Sequence, residues 1–294
     1  MNGGRPSAVD PGPGSGGLLV DAHAHFHPVF SAGAYLDAAV THLRRWEDAL
    51  ARSGAESAGT ERDGEAARSE LCLLLADPEG GRSLPSLCRG AEESGRWAIR
   101  STGEEVSRRA VSAAGDTVHL VAGRQVATSE GLEVLALGIG SGLPEGRAAR
   151  TTVDAALAAG AVAVVPWGFG KWWLRRGRVV RRLLASVEDP RFFLGDNGGR
   201  PRAAPEPALF RTARERGVGV LPGSDPLPFE IEQGRAGSYG FALPDFDPGQ
   251  RPFRALRDRL SALEGSPPAV GRRVGLGRFL ALQLRMQLRK RTRR

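Results

Sequence analysis

Hydrophobic residues follow two rhythms along this chain. Short apolar runs at 18–20, 71–75, 131–138, 161–165, 192–194 and 218–221 lie between turn-forming residues and predict buried strands. Between them, apolar residues recur at helical spacing. Leu36, Val40, Leu43 and Leu50 predict a helix over 34–52, and similar patterns predict helices over 152–159, 179–187, 208–216 and 253–263. Three weaker segments, 97–100, 105–109 and 118–121, alternate or carry β-branched residues, as strands of a meander or antiparallel addition do. From residue 131 onward strand and helix alternate, which is the βα pattern of a parallel sheet or barrel. The stretch 53–68 is charged, glycine-bearing and without periodicity, and reads as a mobile insertion.

Composition narrows the picture. With 294 residues, 41% of them hydrophobic, the chain can bury a sizeable core, and no Pro/Gly-rich linker separates equal halves. One domain over 18–270 is expected, preceded by a Gly/Pro/Ser-rich leader at 1–17, read as disordered, and followed by a basic helix or tail at 271–294. The formal charge of +8 is concentrated in that tail: 272–294 holds nine Lys or Arg and no acid, leaving the rest near −1. A broad nucleic-acid surface is therefore not expected, and any contact with nucleic acid or a membrane surface is assigned to the tail alone. The other reading of the tail is a helix docked on the domain with a frayed end. The small-apolar run 155–165 is broken by Gly160 and falls short of the ~20 residues a membrane span needs, so a soluble protein is expected. Cys72 and Cys88 form no CxxC pair, which fits a cytoplasmic protein. There is no Walker loop, no Gly-x-Gly-x-x-Gly after a strand and no serine nucleophile elbow.

The most informative chemistry sits at the end of the first apolar run, in Asp21-Ala22-His23-Ala24-His25-Phe26-His27-Pro28. Side chains two apart on a strand share a face, so His23 and His25 can share one divalent ion. His27 has the same parity but precedes Pro28, where the strand ends, and reads as a loop residue. His42 reads as structural, and His119 precedes its strand and faces the wrong end.

The Asp-x-His-x-His pattern at the end of a first strand resembles the amidohydrolase and PHP (polymerase and histidinol phosphatase) superfamilies of metal-dependent hydrolases. The resemblance implies an α/β fold, a PHP- or TIM-like (β/α) barrel, regular or distorted, here with an antiparallel strand insertion. The segment Gly223-Ser224-Asp225 looks like the position where those proteins carry a metal-binding aspartate. Carried over, that gives Asp225 the role of ligand or of proton acceptor from a metal-activated water. Three departures reduce the number of ions expected to fewer than three, with Zn, Mn or Fe as candidates. Leu227 stands where a histidine is usual, Val165-Pro166 where a His-Pro is usual, and Gln125 where a glutamate is usual.

In a (β/α) barrel the segments after strand ends meet at one face, and four of them here carry polar or glycine-rich motifs. They place Asp196, read either as a further metal ligand or as a turn residue, beside Asn197. They also bring Lys171 and Arg200 to the rim as binders of an anionic substrate group. Trp167, Trp172 and Trp173 either line the pocket or pack the loop onto the domain. Glu130 and Glu133, at a strand start, are weaker candidates. The expected function is hydrolysis of a small-molecule, phosphoester-like or amide-like substrate. The alternative is a catalytically degenerate PHP-like barrel that binds a ligand or partner.

Overall fold

A computed structural model of the chain describes residues 17–58, 69–78, 80–244 and 246–292. The predicted leader, apart from Gly17, and 59–68 of the predicted mobile insertion lie outside them. Residues 53–58 instead continue the first helix.

Seven strands form one mixed sheet. In chain order these are β1 (Leu18–Ala24), β2 (Glu70–Leu75), β3 (Trp97–Ser101), β4 (Ser107–Ser112), β5 (Thr117–Val121), β11 (Tyr239–Leu243) and β12 (Ala269–Gly271), arranged β12-β11-β1-β2-β5-β4-β3. The other five, β6 (Gly123–Ala127), β7 (Glu133–Leu137), β8 (Val162–Pro166), β9 (Phe192–Asn197) and β10 (Val220–Gly223), form a second sheet in the order β10-β9-β8-β7-β6. Helices α1 (Ala32–Ala58) and α2 (Ser83–Glu93) cover the outer face of the first sheet, where Tyr35, Leu36, Ala39 and Leu43 are fully buried. Helices α3 (Ala149–Ala158), α4 (Leu174–Ser186) and α5 (Ala208–Glu215) cover the outer face of the second. The inner faces meet on a third cluster that includes Val20, Leu74, Leu137, Val164, Phe193 and Phe241, closed by α6 (Pro252–Ser261) through Phe253, Leu256 and Leu260. A central strand covered on both faces reads as an unbroken apolar run, which is why Leu18-Leu19-Val20 was so legible.

The (β/α) barrel expected from the motif is not what forms. A closed barrel of that type needs parallel strands throughout, each returned by a helix. Here β1 pairs antiparallel with β11, β3-β4-β5 run antiparallel, and β6-β7-β8 do too. The connections within β3-β4-β5 and between β6 and β7 are too short to carry a crossover helix, while β7 and β8 are antiparallel although α3 lies between them. The strands therefore lie in two sheets. The antiparallel addition expected at 97–121 is present as β3, β4 and β5. Helix α2 had no counterpart in the predicted elements: it is short, and Pro85 and Gly90 interrupt its pattern.

The two sheets touch at two seams. At one, Asp77 bridges to Arg124 beside β6. At the other, β10 runs beside β1 without pairing to it, and side chains replace the missing ladder. The buried Asp21 carboxylate accepts from Ser224 N–H (2.8 Å), Ser224 Oγ (2.5 Å), Gly237 N–H (2.9 Å) and His23 N–H (3.1 Å). The approach is possible because Gly223 has no side chain: a Cβ there would lie 2.4 Å from the backbone nitrogen of His23. Asp21→Ala would leave those donors buried and unsatisfied, at a cost of about 3 kcal/mol or more. A drop of that size in unfolding free energy by urea titration is expected, and a loss under about 1 kcal/mol would refute the bridging role.

Candidate metal centre

The C-terminal ends of β1, β8, β9 and β10 open on one side of the molecule, where open α/β sheets place ligands. The β1 ladder shifts register between Asp21 and Ala24; His23 lies within that irregularity and His25 just past it, and their rings meet edge-on with centroids 4.8 Å apart. His23 Nε2 and His25 Nε2 lie 3.0 Å apart. Asp225 Oδ1 lies 3.7 Å from the first and 3.4 Å from the second. These three groups form the one set of three or more potential metal ligands found among the described residues, and they could hold a metal ion.

Asp225 is held in an unusual backbone state. Its φ of 48° is left-handed, a conformation that costs a non-glycine residue about 1–3 kcal/mol. Its N–H donates to the His23 carbonyl (2.8 Å), and its Oδ2 accepts from Asn197 Nδ2 (2.8 Å), which also donates to the Trp167 carbonyl. Two such hydrogen bonds, one to a carboxylate, return about 2–4 kcal/mol and so outweigh the strain.

Burial would raise the Asp225 carboxyl, but the adjacent His23 and His25 imidazoles bring it well below the usual carboxylate range, so it is ionised at neutral pH. Burial pushes His23 down to about 4, with Asp225 opposing and His25 adding to the shift, so its imidazole is neutral and has a lone pair to give. Both features suit cation ligands. His25 departs from the usual pattern in one respect: its Nδ1 is buried without a hydrogen-bond partner, where a metal-bound histidine normally donates.

The other histidines do not join the group. His27 Nε2 binds the Pro226 carbonyl (3.0 Å), His42 binds the Gly234 carbonyl (2.9 Å), and buried His119 pairs with Glu70 at the far end of β2.

The remaining expectations divide. Asp196 is not among the ligands: Arg200 grips it with two bonds of 2.7 Å, and Tyr239 donates its hydroxyl to it at 2.8 Å. That pairing also takes up Arg200, whose guanidinium lies over the Phe210 ring instead of a substrate. Lys171, Trp167 and Asn197 do line a cavity of about 220 Å³ that includes His23 and Asp225. Trp172 packs into the core against Phe210, and Trp173 is exposed.

Two groups were undervalued. Glu133 lies on this cavity and pairs with Lys171. A strand start made it a weaker candidate, but β7 runs antiparallel to β8, which brings its start to the ligand face. Gln125 Oε1 lies 3.3 Å from His23 Nε2. The cavity roof comes from α7 (Leu276–Thr292), through Phe279, Leu282, Gln283 and Met286.

The Asp196–Arg200 pair makes a clean control. Arg200→Ala should strip a buried carboxylate of its partner and lower stability by about 3–5 kcal/mol, while the metal content of purified protein stays as in the parent. Loss of metal together with stability would put Asp196 back among the ligands. Neither a scan against protein-family models nor a search of curated proteins matches this chain, so the superfamily resemblance rests on the Asp-x-His-x-His and Gly-Ser-Asp motifs.

Proposed function

We propose that this protein is a hydrolase that uses a single divalent ion held by His23, His25 and Asp225. One observation carries the reading. Around an ion with bonds of about 2.05 Å, tetrahedral ligand atoms stand about 3.3 Å apart. The three separations in this group are 3.0, 3.4 and 3.7 Å. A divalent ion there would lower the pKa of a bound water toward neutrality and polarise the oxygen of the phosphoryl or carbonyl group whose phosphorus or carbon is attacked.

The side chains supply the rest. Asp225 would bind the ion through Oδ1, while Asn197 fixes its Oδ2. Glu133 is the second carboxylate on the cavity, with Lys171 beside it, and is positioned to accept a proton. On the walls, Asp225, Glu133 and Glu232 outnumber Lys171 and Arg235 by one charge, so a bound dication would leave the cavity with a net positive charge. That favours a small substrate with an anionic group, a phosphoester before a neutral amide.

A second reading, a site that binds without turning over, is supported by Gln125: the second side-chain oxygen near His23 Nε2, after that of Asp225, is an amide and not a carboxylate. The two readings differ in one measurement. Protein purified without chelator should hold about one Zn, Mn or Fe per chain, and chelation should lower its melting temperature, reversibly on re-addition, since ligand at 100 times its Kd stabilises by about 2.7 kcal/mol. His23→Ala and Asp225→Ala should each abolish that response. Hydrolysis of bis(p-nitrophenyl) phosphate lost in the same variants establishes the enzyme, and stoichiometric metal without turnover of phosphoesters or amides establishes the binding protein. Full metal content in the doubly substituted chain would overturn both.

A further inference from the structure

The helix that roofs the cavity has a second face, whose large apolar side chains are exposed. On α7, Phe279 and Leu282 point inward and are buried. Leu276, Leu280, Leu284 and Leu288 lie on the opposite side and are 52–62% exposed. At 100° per residue these four occupy an arc of about 120°, with Gly277 and Ala281 inside or beside it and exposed Arg285 at its margin. Soluble surfaces seldom leave so many large apolar side chains in one band.

A loop adjoining α7 extends the surface. Phe169 meets Phe279 of α7 edge-on at 5.2 Å and Trp173 at 5.3 Å. Phe169, Trp173 and Leu174 are each more than half exposed, and Leu174 keeps a left-handed φ of 52°. Helix α4 begins there and turns Arg175, Arg178, Arg181 and Arg182 outward, with no acid along its length. The segment 272–294 adds nine Lys or Arg and again no acid.

From this juxtaposition we infer that the α7 leucine band, the Phe169–Leu174 tip and the α4 arginines dock the protein on an anionic lipid surface. Apolar side chains would enter the headgroup boundary while the flanking arginines meet lipid phosphates, as in interfacial amphipathic helices. Charge and shape disfavour the other occupants. Leucines four apart drift by about 40° per step, so they make a slanted band instead of the straight seam of alternating three and four spacing that pairs two helices. Two copies meeting here would also oppose like charges. Nucleic acid explains the arginines but leaves the leucines, Phe169 and Trp173 without a use, since its interfaces are polar. The inference is independent of the metal reading.

The test is flotation of the full chain with vesicles of phosphatidylcholine containing about 30% phosphatidylglycerol, against phosphatidylcholine alone. Binding to the anionic vesicles only, weakened by salt and with a blue shift of tryptophan emission, is expected. Leu280→Gln with Leu284→Gln changes only exposed positions and should keep the circular dichroism spectrum while reducing binding about tenfold or more. Arg178→Gln with Arg182→Gln should also weaken it. The proposal is overturned by any of three results: no flotation, equal flotation of the leucine variant, or a parent dimer that the leucine variant converts to monomer without change in vesicle binding. Equal flotation of the leucine variant would point to a polyanion site of the nucleic-acid kind.

Discussion

The buried Asp21 carboxylate is the constraint from which the candidate site follows. The strands β1 and β10 belong to different sheets and share no ladder, yet His23 and Asp225, some 200 positions apart, must face each other across that seam. Asp21 supplies the missing connection by accepting from Ser224 and Gly237 at once, and the neighbouring Asp225 N–H closes on the His23 carbonyl. Burial raises the carboxyl of Asp21, and the hydrogen bonds from Ser224, His23 and Gly237 oppose that rise. Four donors on one carboxylate are what make such burial tolerable, since an unsatisfied buried charge would cost several kcal/mol. Asp21, His23 and His25 thus divide the work of one short motif: the first joins the sheets, and the other two face the cavity.

Much of this was legible in the sequence, for a definite reason. Central strands buried on both faces leave continuous apolar runs, so β2, β7 and β8 could be read almost to their ends, and β1 and β9 over their first three residues. The convergence of His23, His25 and Asp225 was also legible, although the route to it was not. Strand parity places the histidines together, but the partner for Asp225 was inferred through a barrel that does not form. The same three residues meet because sheets of parallel strands gather their C-terminal ends whether or not they close.

What stayed hidden depended on strand direction and on pairing between side chains. Nothing local marks β7 as antiparallel, so Glu133, at a strand start, was read only as a weaker candidate. Asp196 and Arg200 each looked like a site residue when read singly, and only their spatial pairing shows them satisfying one another. Four positions separate them, yet Arg200 lies in the turn after β9, where helical spacing rules give no guidance. The strands β11 and β12 are short and contain glycine, and Gly240 approaches the Val20 carbonyl so closely that a Cβ would sit 2.1 Å from it. A glycine chosen for close backbone approach weakens the very apolar pattern by which a strand is recognised.

Helix α7 shows how one element can serve two environments. Its inner side chains complete the cavity wall, so the volume available to a substrate depends on where the helix rests. Its attachment is mixed: Phe279 and Leu282 are buried and Arg278 pairs with buried Glu232, while the leucine band faces outward. An exposed apolar band would rather be covered, and each leucine transferred from water contributes about 1.5–3 kcal/mol when fully buried. The inner face is anchored by two buried apolar side chains and one ion pair, against four exposed leucines on the outer face. Whatever covers the outer face would therefore act on the same helix that walls the cavity holding His23 and Asp225.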